Sequence, residues 1–461
     1  MTQLPRPEPG TPRDYAFPAI ERSTLSNGMR IAVARMPRLP LVTVLALVDA
    51  GAACDPAGRE GTASLAISAL AEGTTRLDGA ALTEAFESLG TGLSSSGDWD
   101  DATAHIAVTP TRLEAAIGLL GEVLTTPAFA QKDVERLKAE RLAELMQQQV
   151  EPRGLADDKF SEFLFVKGSR YALPDGGSMS SVRGIDAGQL RALHAVRYVP
   201  GTTTLVFAGD VTSAKAVQLA ERAFGAWRGA VPKDASVDDR VNSTGRQVHI
   251  VNKAGAPQSE LRVGHGGVPR SHPDYFPIVV MNALLGGLFS SRINLNLRER
   301  NAFTYGARSA YEWRRGAGPF VVSTAVKTEV SDAATREILL EIGKMREETI
   351  SADELSLATA YLDGVFPIRY ETTNAVAQAI AIAQVYGLDD DYYTRYRERI
   401  RAVTAADVLR AAQTYLHPEQ LLVLAVGDAA AIRGPMEQLG AGAVMVHEAP
   451  AEDGAPGANV A

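Results

Sequence analysis

The sequence predicts an α+β protein of two homologous domains, each an antiparallel-rich sheet packed with helices. Three observations carry this. A chain of 461 residues is longer than one ordinary hydrophobic core can serve. Alternating strand-like runs are interleaved with long helical patterns in both halves. The segment Tyr198-Val-Pro-Gly-Thr-Thr-Thr-Leu-Val-Phe-Ala-Gly-Asp210 returns as Tyr415-Leu-His-Pro-Glu-Gln-Leu-Leu-Val-Leu-Ala-Val-Gly-Asp428. The 218-residue offset between Asp210 and Asp428 recurs in the preceding helices, Ile185-Asp-Ala-Gly-Gln-Leu and Val403-Thr-Ala-Ala-Asp-Val. An internal duplication of about 200 residues follows, diverged but in register.

Residues 1–23, with prolines at 5, 7, 9 and 12, predict an extended arm. The first domain is expected over 24–228. It opens on a hairpin, because Asn27-Gly28 is a strong turn signal between apolar runs. A strand over 41–48 follows, then a short buried helix in 61–74, where nearly every position from Ala63 to Ala71 is apolar or small and Gly73 stops it. Further helices are expected near 82–89, 111–125 and 131–149, with an alternating strand at 102–108. In the longest of these, Val134, Leu137, Leu142 and Leu145 share one side at the helical period, and Glu144 lies at its edge. A carboxylate there either snorkels or pairs with Arg141.

A polar, proline-containing linker spans 229–247. The second domain, 248–446, opens with strands at 248–251 and 260–263, and 447–461 reads as a loose tail. Between them, the segment from Leu284 to Ser309 runs from a Gly-Gly break into a helix through Arg298-Glu299. It is expected to continue into a strand at 303–305.

Composition narrows the function. Hydrophobic content of 46% and charged content of 22% describe a folded globular chain. A formal net charge of -9 argues against nucleic acid as a partner, since phosphate binding needs a concentrated positive surface. The single cysteine, Cys54, excludes an internal disulfide and a cysteine-based zinc knuckle, and its expected role is that of a small structural residue. No run approaches the roughly 18 apolar residues of a membrane span, and the N-terminus lacks the apolar core of a signal peptide. A cytoplasmic location is expected, or a periplasmic one if a signal peptide has been removed.

Catalytic constellations are absent from the pattern. Two imidazoles four apart on a helix converge on one metal, yet none of His105, His194, His249, His265, His272, His417 and His447 has such a partner. His265 and His272 are the closest pair, and the glycines and proline between them make a loop. There is no G-x-S-x-G elbow, no Walker loop and no dinucleotide fingerprint; Gly264-His-Gly-Gly267 is a weak echo of an oxyanion loop.

The informative stretch is Leu285-Gly-Gly-Leu-Phe-Ser-Ser-Arg292, followed by Leu297-Arg-Glu299 and Tyr305. Here the sequence resembles the pitrilysin/insulinase family of zinc peptidases, the inverzincins with H-x-x-E-H. It is most similar to half-length subunits that pair as heterodimers, such as mitochondrial processing peptidase and its bacterial relatives. The resemblance runs from Leu25 to Asp428; one departure is Ala302, where a glycine often precedes the tyrosine by three. The family frame G-x-A-H-x-x-E-H, four residues, then G-T, counts back from Gly73-Thr74. It puts Ser64 and Ser68 at the histidine positions and Ile67 at the glutamate, while the third ligand falls on Glu144.

Serine is a poor zinc ligand and isoleucine cannot take a proton from water. The resemblance therefore implies a non-catalytic subunit that binds no cofactor itself, with zinc in an H-x-x-E-H partner. In such heterodimers peptide lies in a chamber between subunits, and the resemblance implies that Arg298 and Tyr305 bind its backbone carbonyls beside the partner's zinc. The alternative is a structural subunit of the same fold with no peptidase role, against which the retained Arg298 and Tyr305 argue. A self-standing hydrolase is disfavoured by the missing constellations.

Overall fold

A computed structural model describes residues 14–233, 236–242 and 245–450 of the chain. These form two six-stranded sheets packed with helices. The first contains β1 (Ile20–Thr24), β2 (Arg30–Arg35), β3 (Val42–Val48), β4 (Ser94–Gly97), β5 (Ala102–Val108) and β6 (Thr203–Gly209), in the order β1-β2-β6-β3-β5-β4. The second contains β7 (Gln247–Asn252), β8 (Gln258–Gly266), β9 (Ala307–Tyr311), β10 (Pro319–Lys327), β11 (Leu422–Gly427) and β12 (Ala443–Glu448), in the order β12-β7-β11-β8-β10-β9. The duplication is thus visible strand for strand. In each copy a parallel pair, β2 with β6 or β7 with β11, is continued on one side by antiparallel strands, beginning with β3 or β8.

The outer edge strand is where the copies differ. β1 enters from the N-terminal side and runs antiparallel to β2, whereas β12 enters from the C-terminal side and runs parallel to β7. Two sequence boundaries move accordingly. Residues 20–23 of the predicted arm belong to β1, and ahead of it Phe17 is buried against Tyr370 and Tyr393. His447 and Glu448 belong to β12 and not to a tail, because they pair with Val251 and Asn252. The rest of those predictions, residues 1–13 and 451–461, lies outside the described residues.

Helices of the first copy are α1 (Thr62–Ala69), α2 (Gly79–Ser88), α3 (Leu113–Thr125), α4 (Gln131–Val150), α5 (Pro152–Leu164), α6 (Met179–Arg183), α7 (Ala187–Arg197) and α8 (Ser213–Phe224). Those of the second are α9 (Tyr275–Asn282), α10 (Arg292–Asn294), α11 (Ser331–Glu347), α12 (Ala352–Arg369), α13 (Thr373–Val385), α14 (Tyr392–Arg401), α15 (Ala405–Tyr415) and α16 (Ala429–Leu439). The run Tyr275–Arg300, with mean hydropathy 1.4, is long and apolar enough to cross a membrane by length and composition, which the sequence reading did not register. Its most apolar stretch is 61% buried inside the fold, as the core segment of a folded domain would be.

One helix from each copy packs on the sheet of the other. Pro152, at the first position of α5, ends α4 and lets the chain turn, since it has no N–H to continue the ladder. α5 then lies on β8 and β11, burying Leu155, Ala156, Phe160 and Leu164 against Val321, Leu422, Leu424 and Val426. Its counterpart α13 lies on β2, β3 and β6, with Val376, Ala377 and Ile380 in one core with Ala32, Leu45 and Val206. Polar contacts follow the same exchange. Thr43 and Thr373 share a buried hydroxyl–hydroxyl hydrogen bond of 2.8 Å, and Arg262 reaches Asp157 at 2.6 Å.

The junction also gathers charge. Arg315 bonds Asp49 at 3.0 Å, its backbone N–H donates to Asp100, and Asp101 lines the same crevice. Burial, with the Asp98 and Asp100 charges beside it, pushes the Asp101 carboxyl up to about 7.

Two outcomes follow. Phe160→Ala removes a buried ring from the exchange and should cost about 3–5 kcal/mol; because that contact bridges the copies, calorimetry should show one transition moved down, not two. For Asp101, the folded state penalises the charged form, so its contribution to stability falls as pH rises from the usual carboxylate range to about 7. Asp101→Asn should therefore gain stability over the parent more at pH 8 than at pH 5, read by chemical denaturation.

Candidate functional site

The helix α1 packs against α4 and β4, and its frame explains what its three marked positions do. Ile67 is 3% exposed, inside the first-copy core, with its Cγ2 close beneath Gly97 of β4. Ser68 faces outward and its hydroxyl donates to the Ser64 carbonyl at 2.9 Å, one turn back. Ser64 borders only a crevice of about 20 Å³. Glu144 on α4 is mostly exposed and accepts from Arg141 at 3.1 Å, the pairing that the spacing allowed for. Arg141 is held in turn by the Gly176 carbonyl at 3.1 Å. Among the described residues no group of three or more His, Cys, Asp or Glu side chains is placed to hold a metal. The donor set here, two hydroxyls and one ion-paired carboxylate, does not fit zinc.

The other marked residues stand on an irregular stretch of the second copy. After α9 the backbone widens into a π-helical turn, Ala283–Gly287, and after α10 into another, Leu295–Arg300. Such widened turns concentrate at functional sites. Gly286 is required because a Cβ would collide with the Ser309 backbone and hydroxyl. Asn294, buried between the two turns, ties the region together. Its Nδ2 donates to the Phe289 carbonyl at 2.6 Å, and its Oδ1 accepts from the Ala307 N–H at 3.0 Å. Asn296, also buried, donates to Glu337 and Glu341 of α11. This frame fixes the helix that carries Arg298.

The strand expected at 303–305 is a loop. Ala302 sits at φ 54°, the left-handed region, so the chain leaves the helix in a turn. Thr304 then closes a second turn with its hydroxyl on Gly306, and pairing to β10 starts only at Ala307. Tyr305 is thereby released from the sheet and is 95% exposed, with no hydrogen bond among the described residues. Arg298 lies with its guanidinium 4.6 Å from the Phe289 ring centroid and touches Glu299 at 3.3 Å; its side chain is 35% exposed. Phe289 is itself 70% exposed.

Tyr305 and Phe289 line a cleft of about 730 Å³ between the copies. Its floor is formed by β8, β10 and β9 of the second sheet, and its wall is α5 with Arg153 and Asp157. Arg298 does not itself line the cleft; its guanidinium rests on Phe289, which does. Glu144 borders a shallow depression that shares Arg153 and Asp157 with this cleft. Ser64, Ile67 and Ser68 do not line it. The sequence reading passed over Phe289, Asn294, Arg153 and Arg308. An aromatic within a Gly-Gly to Ser-Ser turn was a usable signal for Phe289; the others are recognisable only once α5 and the sheet are placed.

Comparisons with known proteins agree with this two-copy organisation. Residues 30–168 match the profile described as Insulinase (Peptidase family M16), and residues 184–362 match that of the Peptidase M16 inactive domain. A zinc protease of Streptomyces coelicolor, itself uncharacterised, is 22% identical over 410 residues, 87% of this chain and 88% of that one. A probable mitochondrial-processing peptidase subunit beta of Arabidopsis thaliana is 23% identical over 435 residues, 89% of this chain and 78% of that one. The crystal structure of a peptidase M16 inactive domain from Pseudomonas fluorescens superposes with a TM-score of 0.83 at 22% identity, covering 89% of this chain and 98% of that one. At that identity the likeness concerns the fold.

The left-handed backbone at Ala302 gives a direct check on this local geometry. A Cβ in that conformation costs roughly 1–2 kcal/mol, partly offset by the greater unfolded-state freedom of glycine. Ala302→Gly should therefore raise stability by up to about 1 kcal/mol, read as a higher melting temperature.

Proposed function

The chain belongs to the insulinase family, peptidase family M16, and we propose that it is the non-catalytic, substrate-binding subunit of a heterodimeric zinc endopeptidase. The observation that carries this is a contrast between two places. Where the family frame puts zinc ligands and the general base, this chain has Ser64, Ile67 and Ser68, with Glu144 held by Arg141. Where it puts substrate contacts, Tyr305 stands 95% exposed on a cleft of about 730 Å³, and Arg298 stacks on Phe289, which lines the same cleft.

The chemistry of those two side chains suits the role. A guanidinium offers several fixed N–H donors and a phenol one O–H donor, so both bind peptide carbonyls whatever side chains the peptide carries. Stacking on Phe289 limits the motion of Arg298 while leaving donors free. Tyr305 points from a loop anchored at both ends, by Phe303 N–H on the Leu297 carbonyl and by Ala307 N–H on Asn294. In this reading the partner supplies an H-x-x-E-H site, zinc and the base, and this chain orients the peptide. Near the scissile bond, the same donors would stabilise the developing oxyanion. A structural subunit of the same fold is the second reading, and the free, exposed hydroxyl of Tyr305 weighs against it.

Co-expression with an H-x-x-E-H partner tests the proposal. The two chains should co-purify, zinc should follow the partner, and the lone chain should hold well under one zinc. In the complex, Arg298→Ala and Tyr305→Phe should each lower kcat/KM for peptide cleavage by about ten- to a hundred-fold, with melting temperature little changed, because Tyr305 is exposed and the half-buried Arg298 rests on the exposed Phe289 and Glu299. No complex, together with full cleavage by the double variant, would sink the proposal.

A further inference from the structure

Binding of backbone carbonyls leaves part of the cleft unused. On its floor Arg262 of β8, Ser323 of β10 and Arg308 of β9 stand in one cross-strand row. The first arginine is matched: Arg262 is buried and pairs with Asp157 at 2.6 Å and Glu260 at 2.8 Å. The last is not. Arg308 is exposed and lines the cleft, and its side chain has no hydrogen bond or ion pair among the described residues. On the α5 wall Arg153 is 68% exposed, and its guanidinium reaches only Glu260, at 3.7 Å, which Arg262 already holds. Three guanidinium groups therefore share two carboxylates, in a chain of formal net charge -9.

A single arginine on a strand is usually a solvated surface group, and such groups seldom concentrate against the sign of the whole chain. Arg308 stands three residues beyond Tyr305 and on the same cleft. We propose that Arg308, with Arg153 across from it, forms a subsite for an acidic side chain, Asp or Glu, of the peptide that Tyr305 holds. The inference rests on the substrate-binding reading above and adds the class of peptide. A guanidinium matches a carboxylate with two parallel N–H donors, and a second guanidinium on the same cleft adds to the attraction. The same charge disfavours a lysine or arginine at that position.

Short fluorescent peptides in which one residue, Glu, Gln or Lys, is walked through every position would be titrated by anisotropy against the full chain and against its complex with the partner. At one position or two adjacent ones, Glu should bind about five-fold more tightly than Gln, and Lys more weakly. Arg308→Ala should bring the Glu-to-Gln ratio to about one, and Arg308→Glu should turn the preference towards Lys. A wild-type ratio near one at every position overturns the assignment, as does a Glu preference that survives Arg308→Ala. Arg298→Ala with Tyr305→Phe serves as the separate control: cleavage untouched in that variant counts against the backbone-binding reading, while the Glu-to-Gln ratio alone decides the acidic subsite.

Discussion

The exchange of α5 and α13 is the contact on which the rest of the molecule depends. Each sheet has one face covered by helices of its own copy and needs a second cover for the other. A parallel central pair makes that need acute, since such strands are buried on both faces. The duplication meets it by reciprocity, with α5 placed over β8 and β11 and α13 over β2, β3 and β6. Neither copy is then a self-contained core. The same contact builds the cleft, because α5 forms its wall beside the stretch of β8, β10 and β9 that makes its floor. The ion pair of the buried Arg262 with Asp157, itself 59% exposed, ties that wall to its floor. Asp157 and Glu260 together compensate the buried guanidinium, which keeps the wall in place.

The two ends of the molecule have separate fates. At α1 the positions that the family frame marks carry side chains that serve packing and helix. Ile67 fills core, Ser68 bonds its own helix, and Glu144 is neutralised by Arg141. Nothing there requires a ligand for stability. Around Tyr305 the opposite holds. Widened helical turns, a left-handed alanine and an exposed tyrosine are each locally unfavourable, and a buried asparagine holds them together. Irregularity of this kind persists where the surroundings over-determine it, and it clusters at working sites.

Much of the fold was legible in the sequence. Asn27-Gly28 marked the first hairpin, alternation marked β5, and the repeated Pro-to-Gly-Asp segments disclosed both β6 and β11. What escaped had physical reasons. β4 is Ser-Ser-Ser-Gly, with no apolar face to signal a strand, and it is held by pairing to β5. His447 and Glu448 resemble a tail because the end of β12 is exposed and polar, yet its backbone completes the sheet edge. Phe303-Thr-Tyr305 has the residue types of a strand, and only the turn at Ala302 shows that the chain has not yet reached the sheet. The helix exchange was invisible for a different reason: a buried stripe shows that a helix is covered, not which sheet covers it. For the site, Arg298 and Tyr305 stood out by spacing, whereas Phe289, Arg153 and Arg308 acquire meaning from the cleft alone.

The central claim is that the working surface of this chain is the second-copy cleft and not the emptied zinc frame. Hydrogen exchange of the chain, with and without an H-x-x-E-H partner and an uncleaved peptide, tests it most directly. The account predicts new protection concentrated in residues 286–308, around Tyr305 and β9. Protection centred on α1 and Glu144 instead, with 286–308 unchanged, would contradict it.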